Sequence, residues 1–161
     1  MGAVSPVLSQ QQRPVLVVED SENDALLIQR QLRINGVINP IVILGSGDEA
    51  MVYLSGIGKY SDRAAYPLPF VMLLDLNLRG SMDGLGVLKW ARSTRGLEDL
   101  LIIVISGLED PSVIREAYRL GANSYLMKPA NGEEIRNLLR GFSRYWMYKS
   151  ESSADATTAQ S

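Results

Sequence analysis

The stretch Phe70-Val71-Met72-Leu73-Leu74-Asp75-Leu76-Asn77 decides the architecture, because five consecutive apolar residues end on a carboxylate. A strand with one wet face alternates apolar and polar side chains, whereas one that is apolar throughout is buried on both faces, as in a parallel sheet covered by helices. Four further short runs are strand candidates: Val15–Val18, Ile41–Leu44, 101–105 and Ser124–Met127. Amphipathic segments lie between them. Ser21 precedes one that places Ala25, Ile28 and Leu32 on one side and ends near Gly36. A second spans about 48–55 and a third about 84–94, ahead of Gly96. A fourth opens on Asp110-Pro111 and stops at Gly121, with Pro at the first helical position and Gly just past the last. The fifth opens with Asn131 and Glu134 in capping-box spacing and aligns Ile135, Leu138, Leu139 and Phe142. The order is (βα) repeated five times, an α/β fold with a parallel five-stranded sheet between helix layers. Such sheets bind ligands beyond the carboxyl ends of their strands. The connection 56–69, rich in Gly and Pro, is expected to be a surface excursion.

Composition bounds the chemistry. A chain of 161 residues suits one domain, expected over 13–148, with flexible tails at 1–12 and 149–161. A net charge of -2 provides no basic field for nucleic-acid phosphates, so nucleic acid is not an expected partner. No apolar run approaches the roughly 20 residues that span a bilayer, and the first residues lack a signal-peptide pattern, so a cytoplasmic protein without a membrane partner is expected. With no Cys and no His, thiolate nucleophiles, imidazole bases, Cys- or His-ligated zinc and phosphohistidine carriage are excluded. Carboxylate, lysine and hydroxyl chemistry remains.

The strand ends supply it. The first closes on Val18-Glu19-Asp20 and the third on Leu74-Asp75, which brings three carboxylates to one edge of the sheet. Such a concentration of negative charge calls for a cation, and a hard divalent ion with oxygen ligands, Mg²⁺, fits. The fifth strand delivers Lys128, followed by Pro129, and the fourth delivers Ser106, followed by Gly107. Taken singly, Asp75 is an ordinary loop carboxylate or helix cap, Lys128 a solvated end and Ser106 a turn residue. Together they form a phosphoryl-transfer site, with Asp75 as nucleophile, Mg²⁺ to neutralise charge, and Lys128 and Ser106 to hold the equatorial oxygens. A carboxylate nucleophile needs no general base, in keeping with the absence of His.

Glu19-Asp20, Asp75, Ser106 and Lys128-Pro129, in this order on successive strand ends, resemble the receiver domains of two-component response regulators over about residues 14–146. The resemblance implies a flavodoxin-like sheet of order 2-1-3-4-5. It implies that Asp75 accepts a phosphoryl group from a sensor histidine kinase. Asp20 and Asp75 would ligate Mg²⁺ by their side chains, Asn77 by its backbone carbonyl and Glu19 through water. Lys128 would pair with Asp75 and then with the phosphoryl group, while Ser106 and Tyr125 would form the switch. Such a protein is not an enzyme toward other substrates and catalyses only its own phosphorylation and dephosphorylation. Arg79 departs from the pattern, standing where receivers commonly have Pro, which is expected to loosen the loop after the acceptor. The long connection and Asp75-Leu76-Asn77-Leu78 resemble the single-domain regulators associated with bacterial phytochromes. A phytochrome-linked kinase is therefore one implied partner, and other sensor kinases fit equally.

With no effector segment expected after the fifth helix, output passes to a downstream protein through binding. Tyr125 together with Phe142, Tyr145 and Trp146 is the expected interaction surface, open to a phosphorylation-dependent homodimer. Phe142 and Trp146 at helical spacing could equally belong to the core. Two other functions compete. A phosphorylation-independent receiver-like module would keep the fold without the chemistry. An aspartyl-phosphate phosphatase would want a second Asp two residues after the nucleophile, where Asn77 stands.

Overall fold

The computed structural model describes residues 13–129 and 131–142. The expected tails, and Tyr145 and Trp146 of the expected interaction surface, lie outside the described residues. Five strands, β1 (Val15–Val18), β2 (Ile41–Leu44), β3 (Val71–Leu74), β4 (Leu101–Ser106) and β5 (Ser124–Met127), form one parallel sheet of order 2-1-3-4-5. They alternate with α1 (Glu22–Ile34), α2 (Gly47–Ser55), α3 (Gly84–Ser93), α4 (Pro111–Arg119) and α5 (Gly132–Gly141).

Strand alternation divides the core in two. Leu16, Val18, Met72, Leu74, Ile102 and Val104 pack with residues of α2, α3 and α4. Val15, Val17, Val71, Leu73, Ile103 and Ile105 pack with Ile28 and Leu32 of α1 and Ile135, Leu138 and Leu139 of α5. The central strands β1 and β3 are wholly buried, as their unbroken apolar runs predict. The outer strands are not: β2 exposes Ile43, and every residue of β5 is half-buried. Phe142 is half-buried against the α1 and α5 side of the core.

The connection between α2 and β3 is more ordered than a surface excursion. It contains a 3₁₀ turn (Gly58–Tyr60), and the rings of Tyr60 and Tyr66 lie 4.8 and 6.3 Å from that of the buried Tyr53. Arg63 donates to the carbonyls of Tyr53 and Leu54 at 2.9 and 2.8 Å, adding side-chain donors at the end of α2, where Tyr53 O also accepts from Gly56 N–H.

Each helix opens on a side-chain cap at the carboxyl edge of the sheet. Ser21, Ser46, Asp83, Asp110 and Asn131 each accept from a backbone N–H of the following turn. Gly84 lets α3 begin hard against β3, since a Cβ there would run into the carbonyl oxygen of Asp75 and the Cα of Leu76. A side chain at 84 would therefore push directly on the segment that carries Asp75.

Candidate functional site

The register aligns the strand ends. Val18 is level with Leu44 and Leu74, Leu74 with Val104, and Ser106 with Met127. The ladder runs one residue further, because Glu19 N–H donates to Leu44 O, Asp75 N–H to Val18 O and Lys128 N–H to Ser106 O, at 3.0, 3.0 and 2.9 Å. Glu19, Asp75 and Lys128 are thus held by sheet hydrogen bonds rather than by loops.

Glu19, Asp20 and Asp75 each offer a carboxylate oxygen, and the three oxygens lie within 4.8 Å of one another. Lys128 Nζ donates to Glu19 Oε1 at 2.6 Å, Asp24 Oδ2 at 2.9 Å and Asp75 Oδ2 at 3.1 Å. Asn77 N–H donates to Asp75 Oδ1 at 3.2 Å, so both oxygens of Asp75 are oriented. Asp24 was not foreseen as part of the site. Its one sequence signal is a carboxylate in the first turn of the helix after Glu19-Asp20, where acidic residues are common for reasons of capping alone. Nor does Arg79 loosen its loop: its backbone N–H and its Nε both donate to Asp20 Oδ2, at 3.0 and 3.1 Å.

Four carboxylates therefore face two cations. Burial is the main force on Glu19, and with the neighbouring Asp75 it drives the carboxyl from 4.5 to about 8 against the pull of Lys128. Burial also works against the Lys128 ammonium, yet its bonds to Glu19, Asp24 and Asp75 hold its pKa above the ordinary value. Burial raises Asp20 too, but the Arg79 amide and guanidinium prevail and keep it below the usual carboxylate range. Asp24 is lowered chiefly by Lys128.

The donor set fits a hard divalent cation. Three carboxylates converge, and Glu19 Oε2 is buried with no hydrogen-bond partner among the described residues, an orphan that a cation would satisfy. The raised Glu19 also makes stability pH-dependent. The unfolded chain sheds this proton near pH 4.5 and the fold keeps it to about pH 8, so the contribution is complete below the first value and declines through the second. At about 1.4 kcal/mol per pH unit, the loss is on the order of 3–5 kcal/mol. Glu19→Gln should remove this slope. Urea unfolding of the cation-free proteins at pH 5 and pH 9 should show the variant gaining a few kcal/mol on wild type between the two; parallel losses would dismiss the assignment.

Ser106 is buried, and its Oγ accepts from Leu108 N–H at 3.2 Å. Tyr125, half-buried against the α2, α3 and α4 side of the core, donates from its hydroxyl to Leu108 O at 2.7 Å. The two expected switch residues thus hold the two backbone groups of one loop residue.

A profile of the response regulator receiver domain matches residues 15–140. The chain belongs to this family. Response regulator Rcp1 of Synechocystis sp. (strain ATCC 27184 / PCC 6803 / Kazusa) is 30% identical over 133 residues, which cover 83% of this chain and 88% of that protein. The crystal structure of the phosphorylated cyanobacterial phytochrome response regulator RcpA superposes with a TM-score of 0.70 at 32% identity, over 84% of this chain and 94% of the other. The Mn²⁺-bound form of Rcp1 superposes with a TM-score of 0.68 at 30% identity, over 81% and 91%. Receiver domains of this family act in two-component signalling, between histidine kinases and downstream effectors. No helix among the described residues is long and apolar enough to cross a membrane.

Proposed function

We propose that Asp75 is the phosphoryl acceptor of this receiver, loaded from a sensor histidine kinase with a divalent cation, Mg²⁺ in the cell. The observation that carries the reading is the convergence on one carboxylate: Asp75 shares a compact oxygen cluster with Glu19 and Asp20 while its Oδ2 receives the Lys128 ammonium. Asp75 attacks phosphorus, the new O–P bond forming as the P–N bond of a phosphohistidine breaks and the imidazole nitrogen keeps the electron pair. Asn77 N–H and Lys128 orient the attacking carboxylate. Asp20, Asp75, the Asn77 carbonyl and, through water, Glu19 would hold the cation, which would supply positive charge beside the transferring group. Lys128, already aimed at Asp75, then donates to a phosphoryl oxygen, and the Ser106 hydroxyl takes another.

Phosphorylation adds about 1.5–2 negative charges. Drawing Ser106 toward that charge disturbs Leu108, which also receives Tyr125, and so alters the face formed by α4, β5 and α5. In this reading the altered face meets a downstream protein or a second copy, in the cytoplasm. A phytochrome-linked kinase is the first donor to try, because one similar protein is a phytochrome response regulator.

Incubation with acetyl phosphate and Mg²⁺, followed by borohydride reduction and peptide mapping, should give one reduced residue, at position 75, and none when EDTA replaces Mg²⁺. Modification elsewhere, or none at all with Mg²⁺ present, would leave the phosphorylation-independent interaction module as the better reading.

A further inference from the structure

Lys128 reaches Glu19, Asp24 and Asp75 but makes no ion pair with Asp20. Asp20 is instead served by Arg79, whose side chain is 87% exposed while that of Asp20 is 16% exposed. The guanidinium therefore lies at the lip of the site, with open solvent to move into. The two bonds to Asp20 Oδ2 differ in kind. The N–H of Arg79 belongs to a backbone that is tied down close by: Ser81 Oγ donates to Asp48 at 2.9 Å, and Gly80 turns with φ +107°, a conformation that side chains rarely allow. The Nε bond sits at the end of a flexible side chain and can be exchanged without moving the loop.

We propose that Arg79 is a resident counter-ion of the cation site. Its guanidinium pairs with Asp20 when no divalent ion is bound, gives way when one arrives, and so sets the cation concentration at which the receiver becomes competent for phosphorylation. The proposal rests on the cation reading of Glu19, Asp20 and Asp75 given above. Two effects act in the same direction. Arg79 competes with the ion for the Asp20 carboxylate, and once displaced its positive charge stays near a second positive centre. Both are weakened by water and by salt, so the effect is moderate. The backbone N–H remains on Asp20 throughout and keeps the carboxylate aimed.

Arg79→Gln isolates the charge, since it keeps the backbone N–H and places a neutral amide donor near the position of the arginine Nε that meets Asp20. Mn²⁺ binding is measured on the full chain from the electron paramagnetic resonance signal of the free ion, with wild type, Arg79→Gln and Asp20→Asn, circular dichroism confirming that each is folded. Arg79→Gln should bind Mn²⁺ about three- to fivefold more tightly than wild type at low ionic strength, the gap narrowing as salt is added. Asp20→Asn should bind much more weakly. Equal or weaker binding by Arg79→Gln, with wild type binding and Asp20→Asn impaired, would overturn the counter-ion role and leave the cation site standing. No binding by wild type would remove both.

Discussion

Asp75→Asn is expected to take no phosphoryl group from acetyl phosphate or from any kinase, and at the same time to make the cation-free protein more stable. The first half follows from nucleophilicity. An amide oxygen carries no negative charge and is a far weaker nucleophile toward phosphorus than a carboxylate oxygen, and no His or Cys exists in the chain to substitute. The second half follows from the charge balance. Glu19, Asp20, Asp24 and Asp75 surround two cations, one of them on the exposed side chain of Arg79, so removing a carboxylate relieves repulsion. The Asn amide oxygen can still accept from Lys128, which leaves the buried ammonium partnered. A gain of about 1 kcal/mol, a few degrees in melting temperature measured in EDTA, is the expected size. Added Mg²⁺ should stabilise the variant less than wild type, because a ligand has gone. A variant that still incorporates the label would mean that the acceptor lies elsewhere; one less stable than wild type in EDTA would mean that Asp75 acts as a partner for Lys128 more than as a source of repulsion.

This opposition between stability and chemistry also explains which parts of the molecule could be read from sequence. The strand ends at Glu19, Asp75, Ser106 and Lys128 were readable because each polar residue interrupts an apolar run, and sheet geometry then sends all of them to one edge. The strand order was not contained in those runs and came from the family resemblance, since an apolar strand looks the same at any position in a sheet. The same blindness hid the half-exposure of β2 and β5. Asp24 has an ordinary explanation as a carboxylate in the first helical turn, and only the packing of α1 on the sheet beside α5 brings it to Lys128 at 2.9 Å. Arg79 stands out in the sequence as a departure from the receiver pattern, but its pairing with Asp20, 59 positions away, depends on how the loop after Asp75 closes, and no local pattern encodes that. The Tyr53, Tyr60 and Tyr66 cluster has no helical or strand period, so a connection that looked like an excursion is a small aromatic extension of the core.

Lys128→Met carries the other large expected effect. Nζ touches three carboxylates, and the Glu19 and Asp75 side chains are 1% and 6% exposed. Removing a buried ammonium while its partners stay charged costs about 3–5 kcal/mol for a fully buried pair. The loss here is set lower, at about 2–4 kcal/mol in EDTA, because Lys128 is 20% exposed, the Asp24 side chain is 41% exposed, and Glu19 can keep its proton. Mg²⁺ should restore more stability to this variant than to wild type, since the uncompensated carboxylates attract the ion more strongly. That restoration separates folding from chemistry. At saturating Mg²⁺, where the variant is folded, phosphoryl incorporation from acetyl phosphate should still be slower by roughly 10²–10³, the loss typical of removing one positioned donor from a transferring group. Lys128→Arg keeps the charge but replaces a compact ammonium by a planar fork that cannot reach three carboxylates in the same way, so it should recover stability more fully than rate. If Lys128→Met were phosphorylated within a few-fold of wild type, the ammonium would be a structural counter-charge alone, and stabilisation of the phosphoryl oxygens would fall to the cation and Ser106.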